Sequence, residues 1–241
     1  NKSQEAKEWQ QKFYPDSMFA KTAVIEEKTT EGFYKIFNEN GKLNNKICNI
    51  FSIYSKILTM KKNIVLIGMM GCGKTTTGDE LSRELSDYKY IDIDAEIEKS
   101  TQKKISEIFL KHGEAFFRML ENEKVKYFCN GEKAIISAGG GAFENEENRK
   151  IMLETSHVIY LKATPQEIYD RIKSEVLETE TNHSLAIGRK RPLLKKNFSV
   201  EKITNLMQLR SKNYEKADIT IDTTGKNPYD IVREILGAIN G

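Results

Sequence analysis

The stretch IVLIGMMGCGKTTTG, Ile64 to Gly78, contains Gly68-Met69-Met70-Gly71-Cys72-Gly73-Lys74-Thr75, a complete G-x-x-x-x-G-K-[ST] pattern between an apolar run and a helical one. Glycines at these positions let backbone N–H groups turn inward around phosphate oxygens, and the start of the following helix adds about half a positive charge. Lys74 is expected to reach the β- and γ-phosphates of a nucleotide, and the Thr75 hydroxyl to ligate magnesium, a hard cation that prefers oxygen. A glycine turn that binds nothing would not need Lys and Thr directly after its last glycine. The loop alone leaves open a kinase, a hydrolase that performs work and a nucleotide-sensing switch. Met69, Met70 and Cys72 read as packing residues within it.

Outward from this loop, short apolar runs alternate with amphipathic segments. Strands are expected near Asn63–Ile67, Lys89–Ile93, Ala134–Ser137, His157–Leu161 and Ile219–Asp222, an alternation that implies a five-stranded parallel sheet with helices on both faces. The expected fold class is therefore α/β, a P-loop three-layer α/β/α sandwich. The polar stretch Ser174 to Asn197, with Gly188 and Pro192, is too long for an ordinary connection and reads as a mobile lid or an insert.

The first 59 residues have a different character. Trp9, Phe13, Phe33, Tyr34, Ile36 and Phe37 fit two short amphipathic helices, the second stopped by Asn40-Gly41, and Asn44-Asn45-Lys46 resembles a linker. The chain opens on Asn1, while Met60-Lys61-Lys62 reads like an ordinary protein start. Residues 1–59 are thus expected to be an extension or the remnant of a preceding domain in a longer fused chain, and residues 60–241 the catalytic domain.

Composition sets the bounds. In 241 residues, 39% are hydrophobic, enough for a core, and the 30% that are charged nearly cancel to a net +3. That balance suits anionic small molecules and argues against nucleic acid or membrane as partner. Cys48, Cys72 and Cys129 lack metal or disulfide spacing, which fits a reducing cytoplasm. No run approaches the ~20 apolar residues that span a bilayer, and no signal-peptide pattern precedes the first strand.

The second strand ends in Tyr90-Ile91-Asp92-Ile93-Asp94. Strand alternation would send both aspartates to one side at the carboxyl end, where open parallel sheets bind ligands. One could hold magnesium through water and the other accept a proton from a substrate hydroxyl. Equally, Asp94 could simply cap a helix beginning at Ala95. Arg118 and Glu121 lie three apart on a helical pattern, a spacing that usually decorates a solvated face for about 0.2–0.5 kcal/mol. Ser137-Ala138-Gly139-Gly140-Gly141 follows the third strand, where bare backbone serves either a ligand or a flexible turn. His112, His157 and His183 show no ligand spacing and read as structural or surface residues.

Taken in order, GMMGCGKT, IDID, IFLKHGEAFFRMLE, SAGGGA, RPLL, LRSKNYEKAD and KNP resemble the shikimate kinases, small P-loop kinases of the nucleoside-monophosphate-kinase type, from about Met60 onward. The resemblance implies ATP-dependent phosphorylation of the 3-hydroxyl of shikimate by a monomeric kinase domain. It implies that Gly71, Cys72, Gly73, Lys74, Thr75 and Thr76 cradle the phosphates of ATP. Thr75 would bind Mg2+ directly, with Asp92 and Ser137 holding its waters. Asp94 would meet the reacting hydroxyl as candidate general base. Arg118 and Arg210 would grip the substrate carboxylate, Glu121 would hold Arg118, Gly139, Gly140 and Gly141 would offer backbone to the ring, and Phe109 and Phe117 would wall the pocket. Arg191 would meet the transferring phosphoryl group from the lid, and Arg171 and Pro228 would sandwich adenine. An Asp of ordinary pKa is a weak base at neutral pH, so positioning and charge neutralisation are expected to dominate the acceleration.

Two departures accompany the resemblance: the segment between Arg171 and Arg191 carries the insert SEVLETETNHS, and Ala138 stands where Thr is common. A gluconate-type kinase would share the phosphate loop without needing Asp94, Arg118 and Arg210 together. A nucleotide-binding module without catalysis should have lost part of that set, which here is intact.

Overall fold

The computed structural model describes residues 61–177 and 198–240, all within the unit Met60–Gly241. The helices expected in residues 1–59, most of the expected lid, Arg191 and His183 lie outside the described residues.

Strand β1 (Asn63–Ile67) is buried along its whole length, as β-branched residues in a central parallel strand should be. Helix α1 (Lys74–Glu84) leaves it through the glycine loop. Then come β2 (Lys89–Asp92), α2 (Ile93–Thr101), α3 (Ile105–Cys129), β3 (Ala134–Ser137) and a 3-10 turn over Ala142–Glu144. The remainder is α4 (Glu146–Thr155), β4 (Ser156–Lys162), α5 (Pro165–Leu177), α6 (Val200–Tyr214), β5 (Ile219–Asp222) and α7 (Pro228–Asn240). All five strands pair in parallel in the order β2-β3-β1-β4-β5. The strand bearing the glycine loop is thus central, with the chain departing to either side of it.

Alternating side chains of each strand enter two separate cores. Ile64, Leu66, Ile135, Ile159 and Leu161 meet Leu81 of α1, Ile168 and Ile172 of α5, and Ile231 and Ile235 of α7. Val65, Ile67, Ile136 and Val158 meet Ile97 of α2, Phe117 and Val125 of α3, and Met152 of α4. Helix α6 touches both, through Ile203 and Tyr214. This is the three-layer α/β/α arrangement expected from the alternation.

Two strands differ in their bounds from expectation. Strand β4 is one residue longer at each end, and β2 stops at Asp92 rather than Ile93. The second difference has a local cause: the Asp92 carboxylate accepts the backbone N–H of Ala95 at 3.1 Å, so α2 begins at Ile93 with Asp92 as its cap. Asp94 is neither a strand residue nor the cap of a helix starting at Ala95. It projects from the first turn of α2.

Candidate active site

The glycine loop has the backbone that its sequence requires. Gly68, Gly71 and Gly73 all have φ in the left-handed region, at 140°, 78° and 98°. A side chain on Gly71 would also crowd Ile172 Cγ1 at 2.9 Å. Helix α1 has no side-chain cap and no acidic residue in its first turn, which leaves the N–H groups at Lys74, Thr75 and Thr76 for an anion. Lys74 Nζ donates to the carbonyls of Gly68 and Met69, both at 3.0 Å, so its ammonium lies across the loop. Cys72 is fully buried, as a packing residue should be. Cys129 is also buried, and burial pushes its thiol up to about 11.

Beside the loop, the oxygen-bearing residues Thr75, Asp92 and Ser137 come together at the ends of three elements. Asp92 and Ser137 are register partners across β2 and β3. Tyr90, not singled out from the sequence, stands among them: its hydroxyl donates to Asp92 Oδ2 at 3.4 Å, and the side chains of Ser137 and Thr75 lie close enough to draw its proton affinity down. Burial and the Asp92 charge push this phenol up to about 12. One carboxylate and two hydroxyls form an all-oxygen set suited to a hydrated Mg2+.

The other half of the site gathers on the Gly139–Gly141 turn. Expected to present backbone to a ligand, these glycines also make room for charged side chains. A Cβ on Gly139 would collide with Glu121 Oε1 and stand 3.2 Å from Asp94 Oδ1. On Gly140 it would lie 3.0 Å from Arg210 Nη1, and on Gly141 2.7 Å from three atoms of the Arg118 guanidinium. Asp94, Glu121, Arg118 and Arg210, drawn from three helices, therefore meet around three consecutive residues. Tyr214 adds a further tie by donating its hydroxyl to the Gly140 carbonyl.

Arg118 Nη1 donates to Glu121 Oε2 at 2.7 Å, and its Nη2 to Glu114 Oε1 at 2.9 Å. Glu121 is fully buried, so the pair is not the solvated-face decoration that its spacing ordinarily signals. Phe117 and Phe109 pack with ring centroids 4.9 Å apart at the edge of the cluster. Helix α3 bends at Gly113, whose φ of 80° and ψ of 174° break the helical path. The bend separates the turn carrying Phe109 from the one carrying Phe117, Arg118 and Glu121.

The electrostatics of Asp94 depart from expectation. Its Oδ1 is sealed from solvent with no hydrogen-bond partner among the described residues. Burial first, then the charges of Glu121 and Asp92, push the carboxyl up to about 7 against the pull of Lys74 and Arg118. The expectation of an ordinary carboxylate is therefore corrected: the charged form is penalised, and the proton affinity sits near neutrality. Glu121 is likewise shifted upward by burial, with Arg118 opposing the shift.

On the opposite side of the loop, Arg171 donates from Nη2 to the carbonyl of Thr223 at 2.7 Å and from Nε to Glu167 at 2.9 Å. Pro228 opens α7 five residues beyond Thr223. Thr223, which carries no motif signal, is wholly buried, and its hydroxyl bonds the carbonyls of Cys72 and Lys162, both at 3.1 Å. It thereby links the glycine loop to the end of β4. His112 is exposed and packs on Phe116, and His157 lies on β4, both away from this chemistry.

The family model described as shikimate kinase matches residues 70–240. A shikimate kinase of Persephonella marina is 40% identical over 178 residues, covering 74% of this chain and 99% of that protein. One of Geobacter metallireducens is 38% identical over 180 residues, covering 75% and 93%. Among solved structures, the shikimate kinase of Acinetobacter baumannii in complex with shikimate superposes with a TM-score of 0.67 at 30% identity, covering 77% of this chain and 97% of that one. The enzyme of Aquifex aeolicus superposes with a TM-score of 0.60 at 36% identity, covering 74% and 96%.

Proposed function

The chain belongs to the shikimate kinase family, and we propose that Asp94, Arg118 and Arg210 seat shikimate on the Gly139–Gly141 turn while the Gly68–Thr75 loop holds ATP beside it. The reaction is the ATP-dependent phosphorylation of shikimate in aromatic amino acid biosynthesis. The 3-hydroxyl is the group assigned to Asp94. The observation that carries this assignment is the meeting of one high-affinity carboxylate with two guanidinium groups around three side-chain-free residues.

Arg118 and Arg210 offer planar forks for the substrate carboxylate. Glu121 holds Arg118 from beneath, and Arg210, only 9% exposed, is set by packing against Met69, Gly140 and Tyr214. With its acid end fixed, the ring would lie over bare backbone and bring a hydroxyl to Asp94. A carboxylate with a pKa near 7 is matched to accepting that proton as the oxygen attacks. Asp94 therefore takes a larger share of the acceleration than an ordinary aspartate would.

On the nucleotide side, the α1 N–H groups and Lys74 would bind the phosphates, with Arg171 and Pro228 at the adenine. Thr75 would ligate Mg2+ directly, and Asp92 and Ser137 would hold its waters. The bound ion would supply neutralisation of charge on the phosphoryl group in flight. The all-oxygen character of this trio supports the reading.

Among the described residues no helix is long and apolar enough to cross a membrane, and we take the cytoplasm as the site of action. Residues 60–241 form the catalytic domain of this reading, and residues 1–59 an extension to it. The test is a coupled ADP-release assay with shikimate, gluconate and nucleoside monophosphates offered separately. Turnover stimulated by shikimate alone is expected. Stimulation by gluconate or a nucleotide instead would move the acceptor elsewhere, and no stimulation by any of them would leave a nucleotide-binding module.

A further inference from the structure

The three oxygens assigned to magnesium belong to three elements, and something must hold them in common register. Asp92 shows how one of them is held. Its Oδ1 accepts the Ala95 N–H at 3.1 Å, and its Oδ2 faces the Tyr90 hydroxyl at 3.4 Å. With both ends engaged the carboxylate is fixed in rotation, yet each oxygen keeps lone-pair capacity for a metal-bound water. Ser137, the register partner of Asp92 on β3, and Thr75 on α1 both draw down the proton affinity of the same phenol, so one hydroxyl faces all three members of the set.

The ring that carries this hydroxyl is also held. It lies against Gly78 of α1, where a Cβ would collide with it and stand 2.8 Å from its Cδ2. Helix α1 thus gives up a side chain one turn after Thr75 to admit the Tyr90 ring. Leu85, Tyr88 and Tyr90 join the core formed there with α1 and α7. The ring thus packs β2 against α1, and the hydroxyl engages the Asp92 carboxylate that pairs in register with Ser137 of β3.

We propose that Tyr90 is a positioning residue for magnesium: its hydroxyl holds the oxygens of Thr75, Asp92 and Ser137 in the spacing that a hydrated Mg2+ requires. The inference rests on the assignment of those three oxygens to the ion. Groups that orient the holders of a metal typically change its affinity by roughly tenfold or more when removed. Phenylalanine at position 90 keeps the ring against Gly78 and deletes only the hydroxyl, so packing is preserved.

The test uses the full chain as Tyr90→Phe and Asp92→Asn, and measures ADP binding by calorimetry with Mg2+ and with chelator. It is paired with Mn2+ titration in the presence of ADP, followed by electron paramagnetic resonance. For Tyr90→Phe, chelator-treated ADP affinity is expected to stay within about twofold of the parent while the gain from Mg2+ falls by roughly tenfold, with Mn2+ weakened in parallel. Loss of that gain in Asp92→Asn but its full retention in Tyr90→Phe would overturn the role of Tyr90 and leave the oxygen set standing. Full retention in both would overturn the oxygen set as well. Equal weakening of ADP with and without metal in Tyr90→Phe would also overturn the proposal, because the hydroxyl would then serve the loop rather than the ion.

Discussion

Arg118 Nη1 donates to Oε2 of Glu121 at 2.7 Å, and the two ends of this ion pair live in different media: Arg118 keeps 26% of its side chain in solvent, whereas Glu121 keeps none. A buried carboxylate is tolerated here because a guanidinium lies against it, and the guanidinium is in turn aimed because the carboxylate cannot move. Removing the charge from Glu121 should therefore act on what Arg118 binds. In Glu121→Gln the KM for shikimate is expected to rise roughly tenfold, the equivalent of about 1.4 kcal/mol, with the KM for ATP within about twofold. Steady-state kinetics with each substrate varied decides this, and an equal rise in both constants would tell against the carboxylate grip.

Asp94 is placed to accept a proton, so Asp94→Asn should depress kcat by about a hundredfold or more while ADP affinity stays nearly constant. Only the ionised form can accept, so kcat/KM for shikimate in the parent should climb as pH rises through about 7. An acid limb near pH 4 would mean that the carboxyl is better solvated than its sealed Oδ1 implies.

The same shift has a consequence for folding. Because the folded pKa lies above the unfolded one, the folded state holds the extra proton between them, and stability falls as pH rises from about 4 to about 7. Asp94→Asn cannot ionise and escapes that loss. Its advantage in denaturant melts should be small at pH 4.5, grow toward pH 7 and stay level above it, reaching on the order of 2 kcal/mol once solvent access to the carboxyl is allowed for. A constant difference across that range would remove the titration of Asp94 as its source.

Gly141 has φ −108° and ψ −8°, a conformation open to alanine, so Gly141→Ala tests space rather than backbone strain. The new Cβ would lie 2.7 Å from the Arg118 guanidinium, which must turn away. Shikimate affinity is expected to fall by roughly tenfold to a hundredfold with nucleotide binding unchanged, on the scale of one misplaced charge-assisted contact. Isothermal titration with each ligand checks it, and unaltered shikimate affinity would show that Arg118 does not need its observed place.

A chain beginning at Met60 is expected to retain kcat/KM for both substrates within about twofold and to melt within a few degrees of the full chain, as a domain with its own core should. Activity assays and calorimetry on the two proteins compare them directly. A large loss in either would give residues 1–59 a part in the catalytic domain.

Much of the fold was legible because its signals are local. The apolar run Ile64–Ile67, the glycines after it and the Lys-Thr pair lie within one supersecondary unit, and their order alone dictates strand, phosphate cradle and helix. The recurrence of such runs predicted a parallel sheet, and the sheet has the five strands expected. Asp92 and Asp94 were recognised as a pair, but strand alternation misjudged them, since a single cap hydrogen bond donated by the Ala95 N–H to Asp92 Oδ1 turned the chain into a helix one residue early.

The sequence by itself determined the family-bearing motifs, the layer order and the residue types that chemistry on an anionic alcohol needs. Tertiary structure alone decided which of those residues share an environment. The Thr223 hydroxyl meets the carbonyl of Cys72 across 151 positions of chain, and Tyr214 meets Gly140 across 74. No periodicity encodes such distances. The burial of Glu121, the raised proton affinity of Asp94, the glycines emptied for guanidinium groups and the place of the Tyr90 hydroxyl all arise in the same way. Each is a property of solvent exclusion and of neighbouring charge, and those exist only once separate elements have packed.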